Sequence, residues 1–164
     1  MITMVLWGGL SPVAADEPDV IALDPAARAQ TDVPPSRVTV AFTDNVKQDS
    51  ATIVVKNSAG AIVSGGSFVV EGNNIYVDLD YNLPRGTYSV QYRATTVDGV
   101  PFGGSYQFAH GPGSFTDSAF SSWSGATDIP DDVRLPGDPD PADRDDSSSA
   151  APDDDATDPA PDDV

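Results

Sequence analysis

Between residues 83 and 108 the hydrophobic and polar positions alternate one by one. Tyr88, Val90, Tyr92 and Ala94 fall on one side, and Ser89, Gln91, Arg93 and Thr95 on the other. A period of two predicts a strand with one buried and one wet face. Pro84 and Gly86 punctuate its entry, where a fixed φ and a permissive residue suit a tight corner. Asp98, Gly99, Pro101, Gly103 and Gly104 read as the following connection, and Tyr106 and Phe108 resume the alternation. The stretch therefore predicts a hairpin, and the chain is organised around it.

Weaker versions of the same pattern precede it. Val20-Ile21-Ala22-Leu23 suits a short first strand that Asp24-Pro25 stops, since proline disfavours helix before it and donates no ladder bond. Val38, Val40 and Phe42 share a face, and Ile53-Val54-Val55 lies within a strand over 51–56 closed by the turn cluster Asn57-Ser58-Ala59-Gly60. Residues 61–70 form a further strand interrupted by Gly65-Gly66, and Ile75, Val77 and Leu79 alternate after the turn signal Glu71-Gly72-Asn73-Asn74. No window carries a helical repeat across three turns. About seven short strands with regular turn signals predict an all-β, immunoglobulin-like Greek-key sandwich. Tyr88, just after a Pro-x-Gly corner, stands where such sandwiches place a tyrosine corner, and ordinary core packing is compatible with that role.

Both ends differ from the middle. Residues 1–15 begin with an apolar run and close on Val13-Ala14-Ala15, small residues spaced like a secretory cleavage site before Asp16. The basic residue expected ahead of the run is missing, so the stretch reads as a signal peptide shortened at its start, or as an apolar N-terminus. It is too short to span a bilayer. After His110, Gly111-Pro112-Gly113 marks a boundary, and composition shifts to Asp, Pro, Ala and Ser. The expected organisation is a signal-peptide segment over 1–15, a sandwich over 16–110 and a disordered acidic tail over 111–164. Phe115, Phe120 and Trp123 interrupt the tail, either as a docking motif or folded back on the sandwich.

Charge follows the same division. The net charge of −18 places −13 in residues 111–164, which hold 15 Asp and two Arg, and only −5 in residues 1–110. Clustered cations are lacking, which argues against nucleic acid or an anionic membrane surface as partner. There is no cysteine, hence no disulfide or thiolate, and one histidine, His110. Ser, His and Asp are present, yet no G-x-S-x-G elbow occurs and no glycine-rich stretch leads into a Lys-bearing helix, so no enzymatic function is expected.

The hairpin carries a resemblance. Leu83-Pro84-x-Gly86-Thr87-Tyr88-x-Val90-x-Tyr92-Arg93 and Asp98-Gly99-Val100-Pro101-x-x-Gly104-x-x-x-Phe108 resemble two blocks of the CopC-like copper-resistance domain of bacterial envelopes. Asp24-Pro25-Ala26 and Val38-x-x-x-Phe42 with Asn45-Val46 are similar to earlier blocks, so the likeness spans about residues 17–109. It implies an exported sandwich that binds Cu(II) for sequestration or delivery to a copper-handling membrane protein; a monomer is expected. The family's ligands are the mature N-terminal His and the Asp and His of a D-G-H-P turn. Here Asp98 matches the Asp, Val100 stands in place of the His, and Glu17 stands in place of the N-terminal His. Asp98, Glu17 and Asp16 are the remaining candidate metal ligands, with Asp19 nearby. Carboxylates alone are harder, weaker ligands for Cu(II). His110 lies six residues past Gly104, about 20 Å along a strand.

Two functions follow. One is an exported copper-binding, copper-resistance-type protein with a weakened or lost Cu(II) site, in the periplasm, cell envelope or outside the cell. The alternative is a non-metal envelope interaction module built from the sandwich and the acidic tail.

Overall fold

In the computed structural model the described residues are 18–115, 120–122 and 129–138. They form two antiparallel-dominated sheets. The first contains β1 (Val20–Asp24), β3 (Arg37–Phe42), β6 (Asn74–Leu79) and β5 (Ser64–Glu71), in the order β1-β3-β6-β5. The second runs β2 (Gln30–Thr31), β8 (Pro101–His110), β7 (Gly86–Thr96), β4 (Val46–Asn57), with β9 (Phe120–Ser122) also paired to β8. Spatial neighbours are largely non-consecutive in sequence, the Greek-key arrangement expected from the strand pattern. A short 3-10 turn, Asp131–Val133, follows. Among the described residues no helix is long and apolar enough to cross a membrane.

The predicted alternation becomes the core. Tyr88, Val90, Tyr92 and Ala94 of β7 face inward opposite Phe108, Tyr106, Gly104 and Phe102 of β8. Val38, Val40, Phe42, Ile75 and Val77 close the layer from the other sheet. Phe42 meets Phe102 edge-on at 4.8 Å and Tyr92 at 5.4 Å, so one aromatic cluster ties both sheets together. Burial pushes the Tyr106 hydroxyl pKa up, with Asp24 and Tyr92 adding to it. Tyr88 makes the predicted corner: its Oη donates to the Pro84 carbonyl at 2.5 Å, while the ring stacks on Phe108 at 5.4 Å.

Three local features differ from the sequence reading. Gly103 and Gly104 belong to β8, paired with Arg93 and Tyr92, so the connection shortens to residues 97–100. Lacking side chains, these glycines let a strand continue opposite two large residues. β4 begins five residues early, at Val46, because its register shift between Val46 and Ala51 hides the alternation there. The outer face of β7 is not uniformly wet: Arg93 is only 2% exposed.

The cover over Arg93 comes from beyond residue 110, where composition alone drew the boundary of the sandwich. β9 pairs through its backbone with Gly104–Tyr106 of β8. Residues 129–138 lie across the outer face of β4 and β7, burying Ile129 and Val133. Arg93 Nη2 donates to Asp138 Oδ1 at 2.9 Å and its Nε to Oδ2 at 3.4 Å, a fork across the carboxylate. Lys56 pairs with Asp132 beside it. Phe115 is half-buried, whereas Trp123 and the rest of the Asp-rich stretch lie outside the described residues.

Burial alone would raise the Asp138 carboxyl, but hydrogen bonds from Arg93 and the Leu135 N–H, with the Arg93 and Arg134 charges, outweigh it and hold it below its ordinary value. Stability from this carboxylate is therefore full above the unfolded pKa of about 3.9 and is lost as pH falls through the lower folded value. Asp138→Asn should cost about 2 kcal/mol near pH 7, bounded because the segment can lift and let Arg93 rehydrate. Urea titrations at several pH values should show that difference shrinking below about pH 4; a difference independent of pH would contradict this account. Tyr88→Phe removes the corner bond and should lower stability by about 1 kcal/mol, seen as a lower urea midpoint at unchanged m-value.

Candidate functional site

The β7–β8 connection is a four-residue turn held by the strand ends it joins. Thr96 N–H donates to the Val100 carbonyl at 2.9 Å, Gly99 N–H to the Thr96 carbonyl at 2.9 Å, and Val100 N–H to Thr96 Oγ1 at 3.0 Å. Gly99 takes φ +89°, where a side chain would be strained. Val97 N–H donates to Asn45 O at 3.0 Å, anchoring the turn to the β3–β4 connection. Asp98 is exposed at the tip and Val100 is half-buried at the base.

The start of the described chain reaches the same end. Asp19 N–H donates to Thr43 Oγ1 at 3.0 Å, and Thr43 N–H to Asp19 O at 2.9 Å. Thr43 Oγ1 also donates to Asp44 Oδ2 at 2.8 Å. Asp19, Asp44 and Asp98 thus stand at one end of the sandwich, on three adjoining segments. Among the described residues no three His, Cys, Asp or Glu side chains converge as a metal-holding group. Asp98 is the one candidate ligand within the described residues; Asp16 and Glu17 lie outside them. The described donors do not fit a nitrogen-rich Cu(II) site, because the only side chain at the second turn position is the hydrocarbon of Val100.

His110 sits at the opposite end of β8. The ten residues of that strand separate it from the turn by roughly 30 Å. It is buried, and its Nδ1 lies 2.9 Å from Leu83 O and 3.3 Å from Pro84 O. Two carbonyls can only accept, so Nδ1 carries the proton. Since Pro84 O also receives the Tyr88 hydroxyl, the single histidine is part of the corner that fixes β7.

The outer face of β4, β7 and β8 holds what sequence reasoning missed. Arg93 and Lys56 point to the same side as Ser89 and Gln91, by the β4–β7 register that pairs Thr52 with Arg93 and Lys56 with Ser89. Alternation places Arg93 on a polar face, but gives no sign that a segment 45 residues later covers it.

Residues 20–111 match a family model described as the CopC domain. The fold is similar to that of CopC from Methylosinus trichosporium OB3b, at 23% identity and a TM-score of 0.51, over 58% of this chain and 95% of that one. It is also similar to PcoC, a methionine-rich copper resistance protein from Escherichia coli, at 20% identity and a TM-score of 0.51, over 58% and 99% of the two chains. No curated protein matches the chain in sequence.

Thr96→Val keeps shape but leaves the Val100 N–H without its acceptor. It should cost about 1 kcal/mol and speed amide exchange at Val100 while leaving the core amides of β7 protected. Unchanged exchange at Val100 would show that the turn does not depend on this bond.

Proposed function

The chain belongs to the CopC domain family, and from that premise we propose that it is an exported, copper-resistance-type protein that takes Cu(II) as weakly held cargo in the cell envelope. The observation that carries the weakened affinity is Val100, seated at the base of the turn with both backbone groups bonded to Thr96. A hydrocarbon there removes a nitrogen donor and keeps the turn intact. Asp98, with Glu17 and Asp16 from the preceding segment, is the donor set we assign to the ion. Such oxygen donors bind Cu(II) less tightly than imidazole and exchange it readily, which suits transfer to a copper-handling membrane protein. No catalytic residue is assigned.

A second reading is favoured by the same residue. With a hydrocarbon in the turn and His110 locked in a structural corner, the scaffold serves as a protein-interaction module and copper is incidental. The two readings separate on metal affinity.

Calorimetric and EPR titration of the full chain with Cu(II) should show saturable, oxygen-ligated binding tighter than about 1 mM. Val100→His should tighten it at least tenfold, and nitrogen coupling should enter the EPR spectrum. Asp98→Asn should weaken the wild-type binding. Absence of saturable binding in the wild type overturns the copper reading and leaves the interaction module.

A further inference from the structure

The outer face of β4, β7 and β8 supports an inference independent of metal. A guanidinium is seldom buried to 2% on the solvent side of a sheet unless something of opposite charge lies over it. Here the cover is residues 129–138, a sequence of two buried apolar anchors four apart, Ile129 and Val133, with Asp131 and Asp132 between them and Asp138 after them. Its contacts with the sheet are those of a bound peptide. Ile129 and Val133 are the apolar anchors, Asp132 pairs with Lys56, and Asp138 takes the Arg93 fork. Asp131 is engaged within the segment by Arg134 at 2.9 Å.

The fit is incomplete in a specific way. Arg93 Nη1 and Gln91 Oε1 are both buried and have no hydrogen-bond partner among the described residues. One needs an acceptor and the other a donor, and residues 129–138 supply neither. Beside the segment an open groove of about 740 Å³ continues along the same face, lined by Lys56, Ser89, Gln91, Gln107 and Gly113 among others. It shares Lys56 with the covered area and has Gln91 in its lining. A longer chain could therefore follow the groove past the point where the segment leaves it. A backbone amide there would offer Gln91 Oε1 a donor, and a further carboxylate or carbonyl would satisfy Arg93 Nη1.

We propose that this face is a docking surface for an acidic peptide segment of a partner protein, two apolar anchors followed by a carboxylate, and that residues 129–138 are its tethered resident occupant. The occupant matches the partner in chemistry and leaves two polar groups unmet. A partner that meets them displaces it, and the tether sets an effective concentration of the millimolar order that the partner must overcome. The resident segment thereby acts as a threshold against weak, non-specific acidic chains. Charge complementarity carries the choice of partner: both cations named on this face are already paired with carboxylates, on a chain that is otherwise strongly acidic.

The test uses the full chain and a labelled ten-residue peptide with the sequence of residues 129–138. Val133→Asp with Asp138→Asn disables the resident segment and leaves the face unaltered. Fluorescence anisotropy should show at least tenfold tighter peptide binding to this variant than to wild type. Adding Arg93→Gln should weaken that binding at least tenfold, as should raised salt. Equal affinity for wild type and variant, or no saturation by a variant that still unfolds cooperatively, overturns the proposal. Should the variant fail to fold, the wild type decides. Millimolar peptide should accelerate amide exchange at Val133 and Arg134, whose N–H groups bond within the docked turn, and unchanged exchange overturns the proposal. Sedimentation showing that the wild-type chain exchanges the segment between two copies would overturn the external partner in favour of self-association.

Discussion

The sandwich and the features at both of its ends depend on the register of β7 against β8. Ten consecutive pairs, from Gly86–His110 to Thr95–Pro101, run without a bulge. Because side chains alternate, a slip of one residue would move Tyr88, Val90 and Tyr92 to solvent and bring Arg93 into the core. The same ladder fixes what lies at its two ends. At one end is the Thr96–Val100 turn with Asp98 at its tip; at the other, Tyr88 and His110 converge on Pro84 O. The outward position of Arg93 is set by the same alternation. Scaffold, turn and docked segment are thus consequences of one pairing.

Scaffold and ligand chemistry are separable for a physical reason. Leu83, Tyr88, Phe102 and Phe108 are held by burial in a close-packed core, where a change in volume is felt by every neighbour. Val100 occupies a turn whose shape is set by bonds from its own backbone to Thr96, which any residue but proline could make. The geometry of the turn is therefore independent of whether a metal-binding side chain stands at position 100. This chain has the CopC fold, and fold membership alone does not transmit the metal chemistry.

The acidic segment beyond residue 110 has a similar double character. Its composition favours solvation, since like charges repel and apolar residues are sparse. Ile129 and Val133 are apolar exceptions followed by Asp138, and the one buried Arg or Lys among the described residues, Arg93, lies where they can reach it. Neither partner is compelling alone: Arg93 without a carboxylate would need water, and the segment without Arg93 has two small apolar anchors.

The sequence by itself determined the sheet class, the inward faces and the tyrosine corner. All three rest on local signals: alternation, Pro-x-Gly punctuation, and an aromatic residue at the start of a late strand. It also put a hydrocarbon side chain, Val100, into the Asp98-Gly99-Val100-Pro101 turn, because the identity of a side chain needs no coordinates. What only the tertiary structure decided involves pairs far apart in the chain. The Val46–Ala51 irregularity hid the first half of β4, Gly103 and Gly104 looked like a loop until paired with Arg93 and Tyr92, and His110 became structural only beside Leu83 and Pro84. Arg93 and Asp138 are the sharpest instance. Each reads as a solvated charge in its own segment, and only their meeting across the outer face gives the segment a place to dock.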